Sequence, residues 1–487
     1  MTRTVSAFLY RLCLGAVMAI AMVPMPAQAF QNGPASVAPL AKKLIDAVVN
    51  IATSQTVKGP SGVPLPKVPK GAPFEDFFDD FFNKRGGVPH EDRRISSLGS
   101  GFVIDGKQGL IVTNNHVIEG AEEIEVNFHD GTKLKVDKII GRDTKADLAL
   151  LKVTPKKPLA DVKFGSSDKI EVGDWVMAIG NPFGLGGSVS MGIISAKSRD
   201  INSGPYDDYL QTDAAINKGN SGGPLFNMDG EVIGVNTAII SPTGGSIGIG
   251  FAVPSDTVAN VIDQLEKYGE VRRGWLGVKI QSVTDDIAET LGLNESRGAL
   301  IAAVTPDGPA SKAGLEPGDV ILKFDDKDVT TMRGLPRLVA QAPIGKGVDV
   351  ELLRNGHQKT VQVTVGRLEA TDNDDNDLKD SGEQDLPPGA AIMGLKLSAL
   401  TGALRQKYGL DSKIKGVVVE AVDPQSPASK KGIKPGDVIV EAAQTAVSDP
   451  DDVAASVAKV RKSGRKAVLL RVEDGKGDLR FVAVPIS

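Results

Sequence analysis

One stretch near the end of the chain occurs twice. Gly308-Pro-Ala-Ser-Lys-Ala-Gly314-Leu-Glu-Pro-Gly318-Asp319-Val320-Ile321 returns as Ser426-Pro-Ala-Ser-Lys-Lys-Gly432-Ile-Lys-Pro-Gly436-Asp437-Val438-Ile439. Pro309 and Pro427 stand 118 residues apart. Solenoid repeats run about 20–50 residues, so this period fits a duplicated domain. The spacing predicts two copies of one small unit, over 270–367 and 389–487. Residues 368–388 between them are rich in Asp and Glu, with Gly and paired Pro, and read as a solvated linker.

Upstream, from about Ile95 to Pro254, the chain reads as β-structure. Ile124, Val126 and Phe128 alternate with Glu123, Glu125 and Asn127. Asp130-Gly131 then supplies a hairpin turn, and Leu134 and Val136 alternate with lysines and Asp137. Short strands punctuated by Gly and Asp suit barrels. Residues Asp256 to Lys267 read as a helix closing this region.

Chemistry points to Gly219-Asn220-Ser221-Gly222-Gly223-Pro224. Glycines strip side-chain bulk from a tight loop, present the serine hydroxyl and turn backbone N–H groups inward to hold an oxyanion. By itself the hexapeptide is also what an ordinary turn uses. His116 follows the apolar run Leu110-Ile-Val-Thr and the pair Asn114-Asn115, and Asp147 opens the apolar Leu148-Ala-Leu-Leu151. The order His…Asp…Ser is that of chymotrypsin-type hydrolases, not of subtilisin or the α/β-hydrolases. His116 and Asp147 fall in the first half of the β region and Ser221 in the second, as expected of two barrels with a cleft between them.

Arg3 and Arg11, an uncharged stretch from Leu12 to Val23, and Ala27-Gln28-Ala29 form the pattern of a secretory signal peptide, expected over 1–29. The apolar run is shorter than the ~20 residues of a membrane-spanning helix. Cleavage would remove both arginines and no acid, moving the net charge from −5 to −7. That acidity argues against nucleic-acid binding. Cys13, the only cysteine, would leave with the signal, so no disulfide, thiol nucleophile or cysteine metal site is expected. Four scattered histidines give no zinc-binding spacing, and no metal or other cofactor is expected.

Taken together, Thr113-Asn-Asn-His116, Asp147-Leu-Ala-Leu150, Gly180-Asn-Pro-Phe-Gly184, the serine loop and the repeat make the chain resemble the HtrA (Do/DegP-like) family of envelope serine proteases. The resemblance implies a mainly β fold: a chymotrypsin-like double β-barrel over 30–265 followed by two PDZ domains. It implies an exported, periplasmic, ATP-independent serine endoprotease that degrades misfolded or unfolded proteins under stress, with chaperone activity as a companion role. The alternative is a peptide-binding chaperone or scaffold with little proteolysis. Implied partners are unfolded polypeptides and C-terminal peptides, with assembly as a homotrimer or multiples of it, and no integral membrane segment.

The resemblance assigns Ser221 as nucleophile, His116 as general base and Asp147 as its orienting acid. The backbone N–H groups of Gly219, Asn220 and Ser221 are the oxyanion-hole candidates. Asn220 stands where digestive relatives carry the Asp that pairs with a newly cleaved N-terminus, so activation is expected from loop rearrangement. Asn181, Phe183, Ala215 and Ile239 are the candidates for the activation and S1 loops. Ala215 lies six residues before the serine, at the floor of the pocket, and implies cleavage after small aliphatic residues. Phe74, Phe77, Phe78, Phe81 and Phe82 share one helical face within an inserted loop over about 53–95, implied to reach a neighbouring subunit. The alternative is that they cover their own domain. Gly274-Trp275-Leu276-Gly277 looks like the carboxylate-binding loop of the first PDZ domain, and Met393-Gly394-Leu395 is a weaker counterpart in the second.

Overall fold

The computed structural model describes residues 36–57, 93–182, 187–217, 219–242, 245–368 and 392–486. The expected signal peptide, the five phenylalanines, Phe183 and nearly all of the expected linker lie outside them.

Seven strands form the first sheet: β1 (Val48–Val57), β2 (Arg93–Asp105), β3 (Leu110–Thr113), β4 (Glu123–Asn127), β5 (Lys133–Lys135), β6 (Lys138–Asp143) and β7 (Leu148–Lys152). Their order is β5-β4-β1-β2-β3-β7-β6. β5 and β6 lie at opposite ends of that order yet are joined by Val136 and Asp137 alone, so the sheet must roll up on itself. The expected hairpin is present, with Glu125 opposite Lys135 and Asn127 opposite Lys133. Residues 53–57 and 93–95, expected to belong to the insertion, continue the β1–β2 ladder, with Val57 opposite Arg93.

The second sheet closes fully into a six-stranded barrel. Its strands are β8 (Trp175–Gly180), β9 (Ser188–Arg199), β10 (Tyr209–Thr212), β11 (Pro224–Phe226), β12 (Val232–Ile239) and β13 (Gly250–Pro254).

Strand parity explains the continuous apolar runs. Ala149 and Leu151 point into the first barrel with Val49, Ile111 and Val126. Leu148 and Leu150 point the other way, into a core shared with Met177, Ile179 and Phe226 of the second barrel. A strand buried on both faces has no polar alternation to show. The helix Ser255–Tyr268 adds Val258, Val261, Ile262 and Leu265 to the shared core, at the spacing of one helical face. Gly269, at φ 73°, ends it with its N–H on Leu265 O.

The duplicated segment builds two six-stranded sheets of one topology, five strands in a row and a short sixth paired beside the third. In each copy the Pro-Ala-Ser-Lys stretch makes a helical turn, with Ala310 and Ala428 fully buried. The repeated aspartate heads a buried strand against an arginine: Asp319 Oδ1 lies 2.6 Å from Arg354 Nε, and Asp437 Oδ2 3.0 Å from Arg480 Nη2.

The first copy is tied to the barrels by Arg273–Asp143, Arg333–Asp200 and Arg337–Asp208. Its sheet packs on the second copy through Leu300, Val320, Leu322, Leu469 and Phe481. The Gln281 amide clamps the Phe481 backbone there, accepting from its N–H at 2.7 Å and donating to its C=O at 3.0 Å. Among the described residues, no helix is long and apolar enough to cross a membrane.

Candidate active site

Register brings His116 and Asp147 together. β3 and β7 run antiparallel with Thr113 opposite Ala149. The helical turn Asn115–Ile118 after β3 therefore faces the residue just before β7. Asp147 takes a left-handed backbone, φ 54°, which is uncommon for a non-glycine residue. In that conformation both its ends face the turn. Its Oδ1 accepts the His116 N–H at 2.8 Å, and its Oδ2 lies 2.5 Å from His116 Nδ1. Its carbonyl accepts the Asn115 N–H at 3.1 Å and Asn114 Nδ2 at 2.7 Å.

A carboxylate beside Nδ1 fixes the proton there and leaves Nε2 as the basic nitrogen. The two side chains remain 17% and 19% exposed, open to a substrate. Burial opposes the charged ring, but the Asp147 charge and hydrogen bond, with the Glu119 charge, outweigh it and raise the His116 pKa above 6.5.

The serine loop is docked on β2. Ser100 takes it at two points: its N–H donates to Ser221 O at 2.8 Å and its hydroxyl to Gly219 O at 2.6 Å. Thr113 Oγ1 donates to Ser100 O at 2.7 Å, linking this clamp to the strand that leads to His116. Gly222, at φ 84°, presses so closely that a Cβ would collide with Ser100 O and Thr113 Oγ1. Across the loop, Gly222 N–H donates to Asn236 O at 2.7 Å, and Asn236 N–H to Gly223 O at 2.9 Å. Ser221 itself is half-buried.

One expectation is corrected. Asn220 donates its backbone N–H to Asn217 O at 3.0 Å, so that group is spent within the turn. Gly219 and Ser221 remain as the oxyanion candidates, and Gly219 at φ 98° packs where a Cβ would press on Pro182.

Asn181 is buried, its N–H on Ser100 Oγ at 2.8 Å and its carbonyl accepting from Asn50 Nδ2 at 3.0 Å. Ala215 is exposed between buried Ala214 and Ile216, and its carbonyl accepts from Ser190 Oγ at 2.9 Å. Asp213 Oδ1 is held by the Ile193 N–H at 2.7 Å. Ile239 ends β12 opposite Gly250, and the following loop returns to Asn217 Oδ1 through the Ser246 N–H at 2.9 Å. That loop exposes Ile240 and Ile247.

In the first repeat, Gly274 and Trp275 pair with Arg367 and Gly366. Leu276, expected to line a ligand pocket, is buried with Ile301, Phe324 and Leu335 in the domain core. The Leu276 and Gly277 carbonyls also turn inward, accepting from Ala310 and Thr305 N–H groups. The adjoining strand Val278–Ser282 lies at the edge of the sheet.

The sequence assigns no role to Ser100, Asn236 or Thr237, and names Asn114 only as part of the motif before His116. A polar pair inside the apolar run of β12 was the available signal for Asn236 and Thr237.

Residues 99–235 match a trypsin-like peptidase domain, and 245–365 and 418–473 match PDZ domains. A probable periplasmic serine endoprotease, DegP-like, of Brucella suis biovar 1 (strain 1330) is 43% identical over 93% of this chain and 90% of its own. The Rhizobium meliloti (strain 1021) protein of the same description is 44% identical over 85% and 81%. The solved structure of the HtrA-type protease AlgW with decapeptide is 40% identical, covers 69% of this chain and 99% of its own, and superposes with a TM-score of 0.55. A mainly β, trypsin-like domain carrying a His–Asp pair beside a glycine-rich serine loop, two PDZ domains after it, and relatives at this identity lead to one assignment: the chain belongs to the DegP-like, HtrA-type family of serine endoproteases.

Proposed function

We propose that Ser221, His116 and Asp147 cleave peptide bonds in unfolded or misfolded exported proteins, in the periplasm and without ATP. The serine oxygen attacks the scissile carbonyl while His116 Nε2 takes its proton, later returned to the leaving amine. Asp147 holds the ring and stabilises its positive charge. The N–H groups of Gly219 and Ser221 receive the oxyanion, and losing one such donor typically costs about 3–4 kcal/mol of transition-state stabilisation. The observation that carries this reading is the Asp147–His116 pair directly after a strand whose Thr113 is hydrogen-bonded to Ser100, the residue that grips the serine loop.

The PDZ domains capture C-terminal peptides by strand addition. The unpartnered outer edge of Val278–Ser282 favours this, as does the peptide held by the HtrA-type relative. A homotrimer or multiple of it, periplasmic quality control under stress and a companion chaperone activity complete the reading, supported by the family resemblance and the relatives' description. The domain limits follow the same reading: protease 30–265, PDZ domains 270–367 and 389–487.

Casein digestion tests it. Ser221→Ala abolishes cleavage, and a serine-directed organophosphonate inactivates the wild type with the label on Ser221. Substantial cleavage by the pure variant would favour a binding scaffold.

A further inference from the structure

Asn114 is fully buried between the two barrels. Its Nδ2 reaches the Asp147 carbonyl at 2.7 Å and Thr237 Oγ1 at 3.1 Å. The Thr237 hydroxyl gives its own proton to Val235 O at 2.9 Å, so it meets Asn114 as an acceptor. Both protons of one amide are thus in use, one toward each barrel. Turning the amide over would set Oδ1 against the Asp147 carbonyl, acceptor against acceptor. The retained orientation leaves Oδ1 buried without a partner among the described residues, which a merely space-filling side chain would not require.

What the amide holds on each side matters. On one side is Asp147, in a left-handed conformation that this bond helps to maintain. On the other is Thr237, next to Asn236, whose N–H and C=O bind Gly223 and Gly222 of the serine loop and whose Nδ2 binds Pro224 O at 3.1 Å. A path of hydrogen bonds and one peptide link therefore runs from Asp147 through Asn114, Thr237 and Asn236 to the serine loop.

We infer that Asn114 is a positioning residue that locks the acid of the triad to the serine loop across the barrel interface. The inference rests on the roles proposed above for Asp147, His116 and Ser221. A small shift of a reacting group can cost roughly a hundredfold in rate. Loosened, Asp147 no longer holds the ring in its proton-accepting orientation.

The test uses the full mature chain of Asn114→Ala, Thr237→Val and the double variant, with a peptide substrate. Asn114→Ala should lower kcat roughly ten- to a hundredfold with KM within about twofold. The acid limb of kcat/KM should move to lower pH, because the Asp147 contact that raises His116 is weakened while the Glu119 charge is untouched. Thr237→Val should give a smaller loss of the same kind, and the double variant should be no worse than Asn114→Ala. Unchanged kcat, an unmoved pH limb, or losses that add and merely follow a fall in Tm would overturn the inference. If Asn114→Ala does not fold, Thr237→Val decides by the same two readouts. Phosphonate labelling of Ser221 in the wild type separates this outcome from failure of the triad reading, which alone would leave Ser221→Ala active.

Discussion

Asp147 meets His116 twice, its Oδ1 on the backbone N–H at 2.8 Å and its Oδ2 beside Nδ1 at 2.5 Å. One carboxylate thus fixes both where the histidine sits and how its ring is turned. Two backbone bonds to neighbouring asparagines explain how a left-handed aspartate is sustained there.

A pH consequence follows. The proposed mechanism needs neutral His116, and its pKa lies above 6.5 because the Asp147 charge and hydrogen bond, with the Glu119 charge, outweigh the effect of burial. Activity should rise with pH through a midpoint above 6.5 and be lost below it. Stability runs the opposite way: the protonated pair contributes fully below about 6.5 and that contribution fades as pH rises through the folded-state pKa. A kcat/KM profile should place the midpoint, and one below 6.5 would contradict the contact. Asp147→Asn should cut kcat by about 10⁴.

Two glycines of equal backbone angle should respond differently to alanine. Gly222 and Gly131 both have φ 84°, but a Cβ at Gly222 collides with Ser100 and Thr113 while one at Gly131 meets nothing within 4 Å. Gly131→Ala should cost about 1–2 kcal/mol of stability and spare kcat. Gly222→Ala adds displacement of the serine loop and should be inactive. Equal activities would show that the loop tolerates the shift.

Specificity should follow Ala215. The exposed alanine offers no charge, and Asp213, two positions before it, is held by the Ile193 N–H. A buried Lys or Arg side chain would go unpaired, at a cost of several kcal/mol. Cleavage should fall after Val, Ala and Ile, and Asp213→Asn should not alter that choice. Mass spectrometry of casein peptides gives the answer, and a majority of cuts after Lys or Arg would refute the assignment.

Arg273 and Asp143 form a two-point ion pair where the barrels meet the first PDZ domain, with side chains 11% and 6% exposed. Tyr206 lies under the guanidinium at 4.8 Å. Arg273→Ala strands a buried carboxylate and should destabilise this junction by about 3–5 kcal/mol. Calorimetry should show the domains unfolding at separated temperatures. A single unchanged transition would mean that the pair adds little.

Leu276→Asp, which sequence alone offers as a ligand-pocket variant, should instead unfold the first PDZ domain, since Leu276 is only 2% exposed in its core. Circular dichroism of the variant, alongside peptide binding, distinguishes the two outcomes. Lost binding with an intact domain would restore the pocket role.

The sequence by itself determined what short windows can hold. The duplicated Gly-Asp-Val-Ile strand starts, the Asp130-Gly131 hairpin, the helix after Pro254 and the order of His116, Asp147 and Ser221 are all written in local spacing. So was the parity of β4, because one of its faces is wet. Tertiary structure alone decided the rest. The amide joining Asn114 to Thr237 spans 123 residues, and the hydroxyl joining Ser100 to Gly219 spans 119. The left-handed turn of Asp147 and the burial of Leu276 depend likewise on neighbours that fold into place. A hydrogen bond is worth most where water is excluded, and only packing the two barrels together excludes it here.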